Sequence, residues 1–487
     1  MLKTLREELE ALRRDDRVSF HMPGHKYGQN GLRDNFKSFW DIDITEIPGA
    51  DNLHDPESIL LEAKQRAEKI YGSKESFFLV NGSSCGIMAM IMGTVNRGEK
   101  IVISRDAHRS IHHAVSLGGL CPIYLMPKVD ALTGIAIGMD EEALETTLAE
   151  NADIKAVVCT YPSYSGACVN IEKIRLVTAE KGIQLLVDEA HGAHLWLSEK
   201  LPPSALDVGA DVVVQSLHKT MPAMTQTAIL HIGTDLAQRD EIAHYLTVFQ
   251  SSSPSYVMLS SIDEAIHIAS EVGAEAMEEC LEEVRQLKID GRVLGFEFWD
   301  QSSLKRANIW HFDETKLCLS GHLLGLDGYE LDKMLYQKGI QSEYAVRSHV
   351  LLMASMCSNK EDFNRLRQAL EEISQENRLE DKNSLTLMGY YDGFLELSSQ
   401  LIVSPGDISD WQVSEIALAS ACGAVSGDWI IPYPPGVPML CPGEKISEKH
   451  VEMIGRYLKW GHKILGVRND KIRILTVKNC KIDENRL

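Results

Sequence analysis

Two apolar runs, each ending in a chemically useful residue, decide the fold: Gln184-Leu-Leu-Val-Asp188-Glu-Ala-His191 and, downstream, Val212-Val-Val-Gln-Ser216-Leu-His218-Lys219. Each reads as a short buried strand, an uninterrupted apolar stretch bounded by polar residues. Similar runs recur around them at Phe77–Val80, Lys100–Ser104, Ile123–Met126, Ala156–Thr160, Ile183–Val187, Val212–Gln215 and Thr227–Ile232, separated by helical periods. That alternation predicts an α/β sheet with helical crossovers. Ligands of such sheets sit at the carboxyl ends of the strands, and the polar residues collect there. Lys100–Ser104 runs into Asp106-Ala-His108-Arg-Ser110, and Ala156–Val158 into Thr160-Tyr-Pro-Ser163. The two quoted runs end at Asp188 and at Ser216, His218 and Lys219.

At 487 residues the chain is long enough for two or three domains. Residues 1–17 read as a helix and 18–56 as a loop-rich lead-in. A helix is expected over Ser58–Tyr71. The texture changes near residue 290: Leu317-Cys-Leu-Ser, a helix over 328–337 and Val350–Met356 suggest a smaller α+β domain. A polar stretch, Ser374–Ser384, reads as a linker. The expected division is thus 1–290, 291–380 and a third unit over 381–487. A formal net charge of -21 argues against nucleic acid and acidic membranes as partners and suits a basic small molecule. The charged amphipathic N-terminus has no apolar signal-peptide core, and no apolar run reaches the roughly 20 residues of a membrane span. The 10 cysteines are scattered without zinc-ligand spacing, so they read as reduced thiols of a cytoplasmic protein with no metal site.

A reactive amine and a carboxylate at the ends of neighbouring strands are what pyridoxal phosphate requires: a lysine to form the Schiff base with its aldehyde, and an acid to keep its pyridine nitrogen protonated. Most lysines are solvated surface charges, but Lys219 follows an apolar strand and precedes Met221-Pro-Ala-Met, where burial would lower its proton affinity and make it a better nucleophile. Asp188 could be a strand-end cap, yet His191 and Gly192 beside it also suit a cofactor site. His108 could be structural or could stack on a flat ring. His21, His25 and His54 carry weaker signals, and Glu172 and Glu189 read as solvated acids. Asn81-Gly-Ser83-Ser84-Cys85-Gly86 precedes the apolar helical run Ile87–Val95. Small residues, hydroxyls and a helix N-terminus together suit a phosphate, although an ordinary N-cap turn has the same composition.

The set His21-Met-Pro-Gly-His-Lys26, Asp51-Asn-Leu-His-Asp-Pro, Asn81-Gly-Ser-Ser, Ala107-His-Arg-Ser, Val187-Asp-Glu-Ala-His-Gly192, Ser216-Leu-His-Lys219 and Tyr433-Pro-Pro-Gly-Val-Pro with Pro442-Gly-Glu444 resembles the bacterial ornithine/lysine/arginine decarboxylases. The resemblance runs from about residue 18 to 450, and the motifs are specific jointly rather than singly. It implies an aspartate-aminotransferase-like (fold-type I) large domain with a mixed seven-stranded sheet, a small α+β domain and a C-terminal domain. It implies pyridoxal phosphate, with Lys219 as the Schiff-base lysine, Asp188 on the pyridine nitrogen and His108 stacked on the ring. Ser83, Ser84 and Cys85, helped by Ser216 and His218, would hold the phosphate. Thr160 and His191 would lie beside the ring. Ser252 and Ser253, in Gln250-Ser-Ser-Ser-Pro, would complete a partner subunit's phosphate site in a homodimer. Glu343 would face the distal amine of the substrate. The chain resembles the short form of the family, without the N-terminal wing domain. It carries Cys85 where larger members often have a hydroxyl residue, and Tyr344-Ala after Glu343 where they often read Lys-Thr.

The expected function is therefore α-decarboxylation of lysine, arginine or ornithine, with Lys219 or His218 returning a proton to Cα. An aminotransferase on the same fold is the second reading; it needs an arginine for the substrate carboxylate, and Arg347 is the one candidate. A non-catalytic pyridoxal-phosphate-binding protein is the third.

Overall fold

The computed structural model describes residues 18–21, 24, 26, 42–47, 49–303, 305–377, 393, 397–433, 437–461 and 463–478. The N-terminal helix, His25, Tyr433-Pro-Pro-Gly in the greater part and the stretch 378–384 of the expected linker lie outside them.

The seven apolar runs pair into one sheet. Its strands are β1 (Glu75–Leu79), β2 (Lys100–Ser104), β3 (Cys121–Leu125), β4 (Ile154–Thr160), β5 (Gln184–Asp188), β6 (Val212–Gln215) and β7 (Ala228–Ile232), in the spatial order β1-β7-β6-β5-β4-β2-β3. β7 is antiparallel to both neighbours, and the other adjacent pairs are parallel. Inner strands such as β6 are buried along their whole length because helices cover both faces, which is why they read as continuous apolar runs. Six helices carry the crossovers and faces: α1 (Ile59–Tyr71), α2 (Gly82–Met92), α3 (Arg109–Gly118), α4 (Glu141–Glu150), α5 (Ile171–Glu180) and the single turn α6 (Leu217–Thr220). Gly86 lets α2 lie close on the sheet: a Cβ there would come within 2.5 Å of Leu79 Cδ1 and 3.1 Å of Val214 Cγ1. α7 (Arg239–Phe249) follows β7 and packs against α2.

α8 (Tyr256–Val293) is 38 residues long, about 57 Å at 1.5 Å per residue. It carries Leu259, Ile262 and Ala265 in the core under the large sheet and Cys280, Val284 and Leu287 in a second core. It therefore passes straight through residue 290, where the texture of the sequence changes. Beyond it a four-stranded antiparallel sheet forms from β8 (Glu297–Trp299), β9 (Lys316–Ser320), β10 (Tyr344–Val346) and β11 (His349–Met353), in the order β8-β9-β11-β10. α9 (Gly328–Gln337) and α10 (Lys360–Asn377) complete this unit. α10 takes in Ser374–Asn377, the first residues of the expected linker; Ile373 and Ser374 are buried, so the polar composition there is that of a helix end. Val18–Ser19 pairs in parallel with Ile340–Gln341, and Phe20 is fully buried in the second core. The lead-in thus enters through the small unit before reaching the large sheet.

The C-terminal unit has its own core around Leu418, Ile430, Leu440, Ile454 and Ile472. Its sheet orders β12 (Trp411–Ala417), β14 (Lys471–Lys478) and β13 (Val425–Ser426) with β14 in the middle, and α11 (Glu448–Lys459) packs against Leu418–Ser420 and Lys463–Leu465. A buried ion pair, Arg105 Nη2 to Glu444 Oε2 at 2.9 Å, fastens it to the loop after β2. Among the described residues no helix is long and apolar enough to cross a membrane.

Candidate active site

Strand register brings the predicted residues together. Asp188 sits opposite Thr160 on β4 and Val214 on β6, so the ends of three parallel strands deliver Thr160, Asp188 and the segment Ser216–Lys219 to one edge. Lys219 lies on α6, one turn past β6, with Nζ 3.1 Å from His191 Nε2. Burial lowers its proton affinity; Asp188 and Glu343 pull it back up, and Lys316 lowers it further. His191 is held neutral, first by burial and then by the Lys219 charge. A neutral ring that accepts from Lys219 at Nε2 carries its proton on Nδ1, and that buried atom has no partner among the described residues. Asp188 is 3% exposed and accepts one described hydrogen bond, from Ala190 N at 3.1 Å. Burial raises its proton affinity and Lys219 counters that. Thr160 Oγ1 is a second buried polar atom without a described partner.

The loop before α2 turns on Gly82, whose φ is +74° and whose N–H donates to Gln226 O at 2.9 Å. Ser216 Oγ donates to Ser83 Oγ at 2.7 Å, which joins the loop to the lysine-bearing segment. Ser84 is exposed. Cys85 turns the other way: its thiol is buried in the core and contacts Gly82 O at 3.0 Å, with burial pushing its pKa up to about 12. Any contact it makes with a phosphate is through its backbone N–H, because the side chain at this helical position faces the sheet. His218 Nδ1 lies 3.0 Å from Thr227 O, so His191 rather than His218 is the imidazole on Lys219. His108 is the N-cap of α3, its Nδ1 2.8 Å from Ser110 Oγ, with its ring exposed at the carboxyl edge of the sheet. Ser252 and Ser253 are exposed. Ser251 and Ser255 line a pocket with this chain's own Asn81 and Gln226, so the serine loop flanks the start of its own α2.

Glu343, between the two small-unit strands Ile340–Gln341 and β10, accepts from Tyr164 O–H at 2.6 Å. The Tyr164 ring stands 4.6 Å from that of His191 and 5.1 Å from that of Tyr344. Glu343 is thus linked to the lysine through one aromatic side chain. Arg347 is exposed, its guanidinium 5.8 Å over the Trp460 ring of the C-terminal unit.

Several residues around the site are given no role by the motifs. Lys26 is 1% exposed, donates to His21 O at 2.7 Å and Met353 O at 3.0 Å, and is lowered to about 8, chiefly by burial. Lys316 is fully buried against Asp313 at 2.9 Å. Tyr164 is marked only by its place just past Thr160. Glu189, expected to be solvated, is fully buried: it accepts from Ser204 O–H at 2.9 Å, Ala205 N–H at 2.6 Å and the Gln215 amide at 2.5 Å, and burial raises its pKa to about 8. Asp51 caps the lead-in to α1, and Gly24 N–H donates to His218 O at 2.8 Å, backing the lysine segment.

This donor set fits pyridoxal phosphate. A buried carboxylate, a partly buried amine of lowered proton affinity, two buried polar atoms without partners among the described residues and a hydroxyl-rich helix N-terminus converge on one strand edge. The fold is that of the aspartate-aminotransferase-like α/β proteins. The chain belongs to the Orn/Lys/Arg decarboxylase family: residues 5–362 match its major domain and 405–465 its C-terminal domain. It is 34% identical over 466 residues to the uncharacterized protein YaaO of Bacillus subtilis, covering 93% of this chain and 94% of that one. It is 30% identical over 467 residues to an arginine decarboxylase of Bacillus subtilis, covering 94% of each. The Escherichia coli constitutive lysine decarboxylase superposes with a TM-score of 0.76 at 19% identity, over 97% of this chain and 81% of that one.

Proposed function

We propose that this chain removes the α-carboxyl group of a basic amino acid with the help of pyridoxal phosphate. The observation that carries the reading is the shared strand edge: Asp188 buried opposite Thr160, Lys219 on His191, and the acid Glu343 reached through Tyr164. Asp188 would hold the pyridine nitrogen, His108 would cover the ring, and Ser83, Ser84 and Ser216 with the α2 N-terminus would hold the phosphate. Bound there, the cofactor supplies a protonated ring that accepts the electrons of the broken Cα–carboxylate bond.

The protein's own residues do the rest. Asp188, buried at the strand end, where Lys219 counters the rise in proton affinity that burial imposes, would maintain the ring proton. Lys219, kept on His191 Nε2, stands where it can return a proton to Cα. Packing of Tyr164, Tyr344 and His191 keeps the neighbourhood poor in water, which favours departure of a neutral product. Glu343 selects a distal ammonium or guanidinium, because a half-buried acid left without a cation penalises substrates that lack one. Arg347, the arginine that an aminotransferase would need, stacks on Trp460 of the C-terminal unit, which favours this reading over an aminotransferase. A reducing, cytoplasmic setting suits the cysteines, since the nine described form no disulfide with one another. A homodimer suits a site whose serine loop lies exposed at its phosphate end.

The test is a mass-spectrometric product screen of the cofactor-loaded protein with lysine, arginine and ornithine. One matching diamine or agmatine, absent with Lys219→Ala, is the expected result. A keto acid product would establish the aminotransferase instead, and no product from any of the three would overturn decarboxylation.

A further inference from the structure

The turn that carries Asp188 and His191 is anchored from the small unit. His194, three residues past His191, is 1% exposed, and its Nε2 lies 3.3 Å from both Asp313 Oδ1 and Thr315 Oγ1. The same Asp313 carboxylate accepts from Thr315 N–H at 3.0 Å, Thr315 O–H at 2.7 Å and Lys316 Nζ at 2.9 Å. Asp313 and Lys316 are fully buried. Burial alone would raise the proton affinity of Asp313, but Lys316 and His194 outweigh it and keep the carboxylate ionised. Its backbone N–H donates to Gly166 O at 2.8 Å, two residues from Tyr164. One small-unit residue therefore grips both the turn bearing Tyr164 and the turn bearing His191.

The grip is transmitted over a short distance. Gly192 N–H donates to Glu189 O at 2.9 Å and Leu195 N–H to Gly192 O at 3.0 Å, so residues 189–195 form consecutive tight turns. A Cβ at Gly192 would come within 2.5 Å of Glu189 Cγ. A displacement of His194 has no slack to absorb it before His191. An ion pair stripped of water is a poor source of stability, since desolvation offsets most of its attraction; a role in placing attached groups accounts for its presence.

We propose that His194 is a positioning residue: held by Asp313, it fixes the turn so that His191 Nε2 stays on Lys219 Nζ. This rests on Lys219 being the reacting amine, as argued above. Nothing in a catalytic role requires His194 to touch the substrate; it acts through His191.

Two amide isosteres separate positioning from bulk packing. His194→Gln places a side-chain nitrogen where Nε2 was and keeps the bond to Asp313. His194→Asn places it where Nδ1 was and loses that bond. The expected result is kcat within about 3-fold of wild type for Gln and lower by about 10-fold or more for Asn, with KM moved less than about 3-fold in both. The second readout needs no turnover: full-chain protein freed of pyridoxal phosphate is treated with a small acylating reagent at fixed pH and Lys219 modification is quantified by mass spectrometry. Nζ released from His191 is a freer nucleophile, so labelling should rise about 3-fold or more in Asn and stay level in Gln. Equal behaviour of the two variants in both readouts, with melting like wild type, overturns the proposal. Should His194→Asn fail to fold, Asp313→Ala with Lys316→Met removes the grip without leaving a lone buried charge. It should show the same pattern, and wild-type labelling in that folded double variant overturns the proposal. A wild-type protein that turns over none of the three amino acids would instead overturn the decarboxylase reading, while the labelling still reports on His194.

Discussion

Three buried or partly buried lysines surround the site, and their anchors separate their roles. Lys316 is neutralised by Asp313, and Lys26 is spent on two backbone carbonyls. The one described hydrogen bond of Lys219 Nζ is to a neutral imidazole, which leaves it chemically available. Replacing Lys219 with Ala should lower turnover on the order of 10³-fold or more and abolish the visible absorbance of the bound cofactor. Asp188→Asn should keep the fold, because the side chain has one described hydrogen bond, and lower kcat by about 10²- to 10³-fold. A near-normal rate in single-turnover assays would show that another group keeps the ring proton. Glu343→Gln should raise KM for the basic substrate about 10-fold or more with a smaller effect on kcat; an unchanged KM would remove it as the selector. At this scale Lys219 and Asp188 were legible because each ends an apolar run. Lys26, Tyr164 and Lys316 were not, because their partners lie far away in the chain.

At the scale of elements, every strand of the large sheet was visible as an apolar run, and in the inner strands burial on both faces removes the polar alternation that would blur it. α8 was less visible because its buried residues serve two different cores in succession, so no single period spans it. The Asp51 motif proves to be a helix start. Its carboxylate accepts N–H bonds from Asn52, Glu57, Ser58 and Leu60 at 2.8–3.1 Å, and Tyr256 at the head of α8 donates to its carbonyl. Those N–H donors outweigh its burial and lower its pKa from 3.8 to about 2. A carboxyl with a depressed folded-state pKa adds stability that is present above its unfolded value and is lost as pH falls through the folded value. Asp51→Ala should therefore cost about 2 kcal/mol in denaturant unfolding at pH 7, with the gap to wild type closing between about pH 4 and pH 2. A gap that persists at pH 2 would mean that the loss is packing rather than charge.

At the scale of the molecule, four cores, one on each face of the large sheet, one in the small unit and one in the C-terminal unit, are joined by a few buried polar contacts. The Arg105–Glu444 pair joins the C-terminal unit to the loop that leads to His108, and Glu444 also accepts from Cys441 N–H at 2.6 Å. Glu444→Ala leaves a buried guanidinium without its anion and should cost about 3–5 kcal/mol in urea unfolding, whereas Arg105→Leu combined with Glu444→Leu should cost much less. Equal losses would show that the pair is not what the unit depends on. The exposed serine loop leads to a test of assembly: mixing Lys219→Ala chains with chains carrying Ser252→Trp and Ser253→Trp should restore activity if each site uses its partner's loop. No recovery in a confirmed mixed dimer would assign the loop to its own α2.

By itself the sequence determined the α/β class, the seven strands and the pair Lys219 and Asp188, because strand burial and strand-end chemistry are local and leave their mark in consecutive residues. The tertiary structure decided which imidazole meets the lysine, that Cys85 faces the core, that Glu189 is buried, and that Tyr164, Glu343, Asp313 and His194 tie the small unit to the strand edge that carries Asp188 and Lys219. Each of those is a contact between segments far apart in the chain. Distance in space at such points is set by the packing of whole elements against one another, and no local pattern of residues records it.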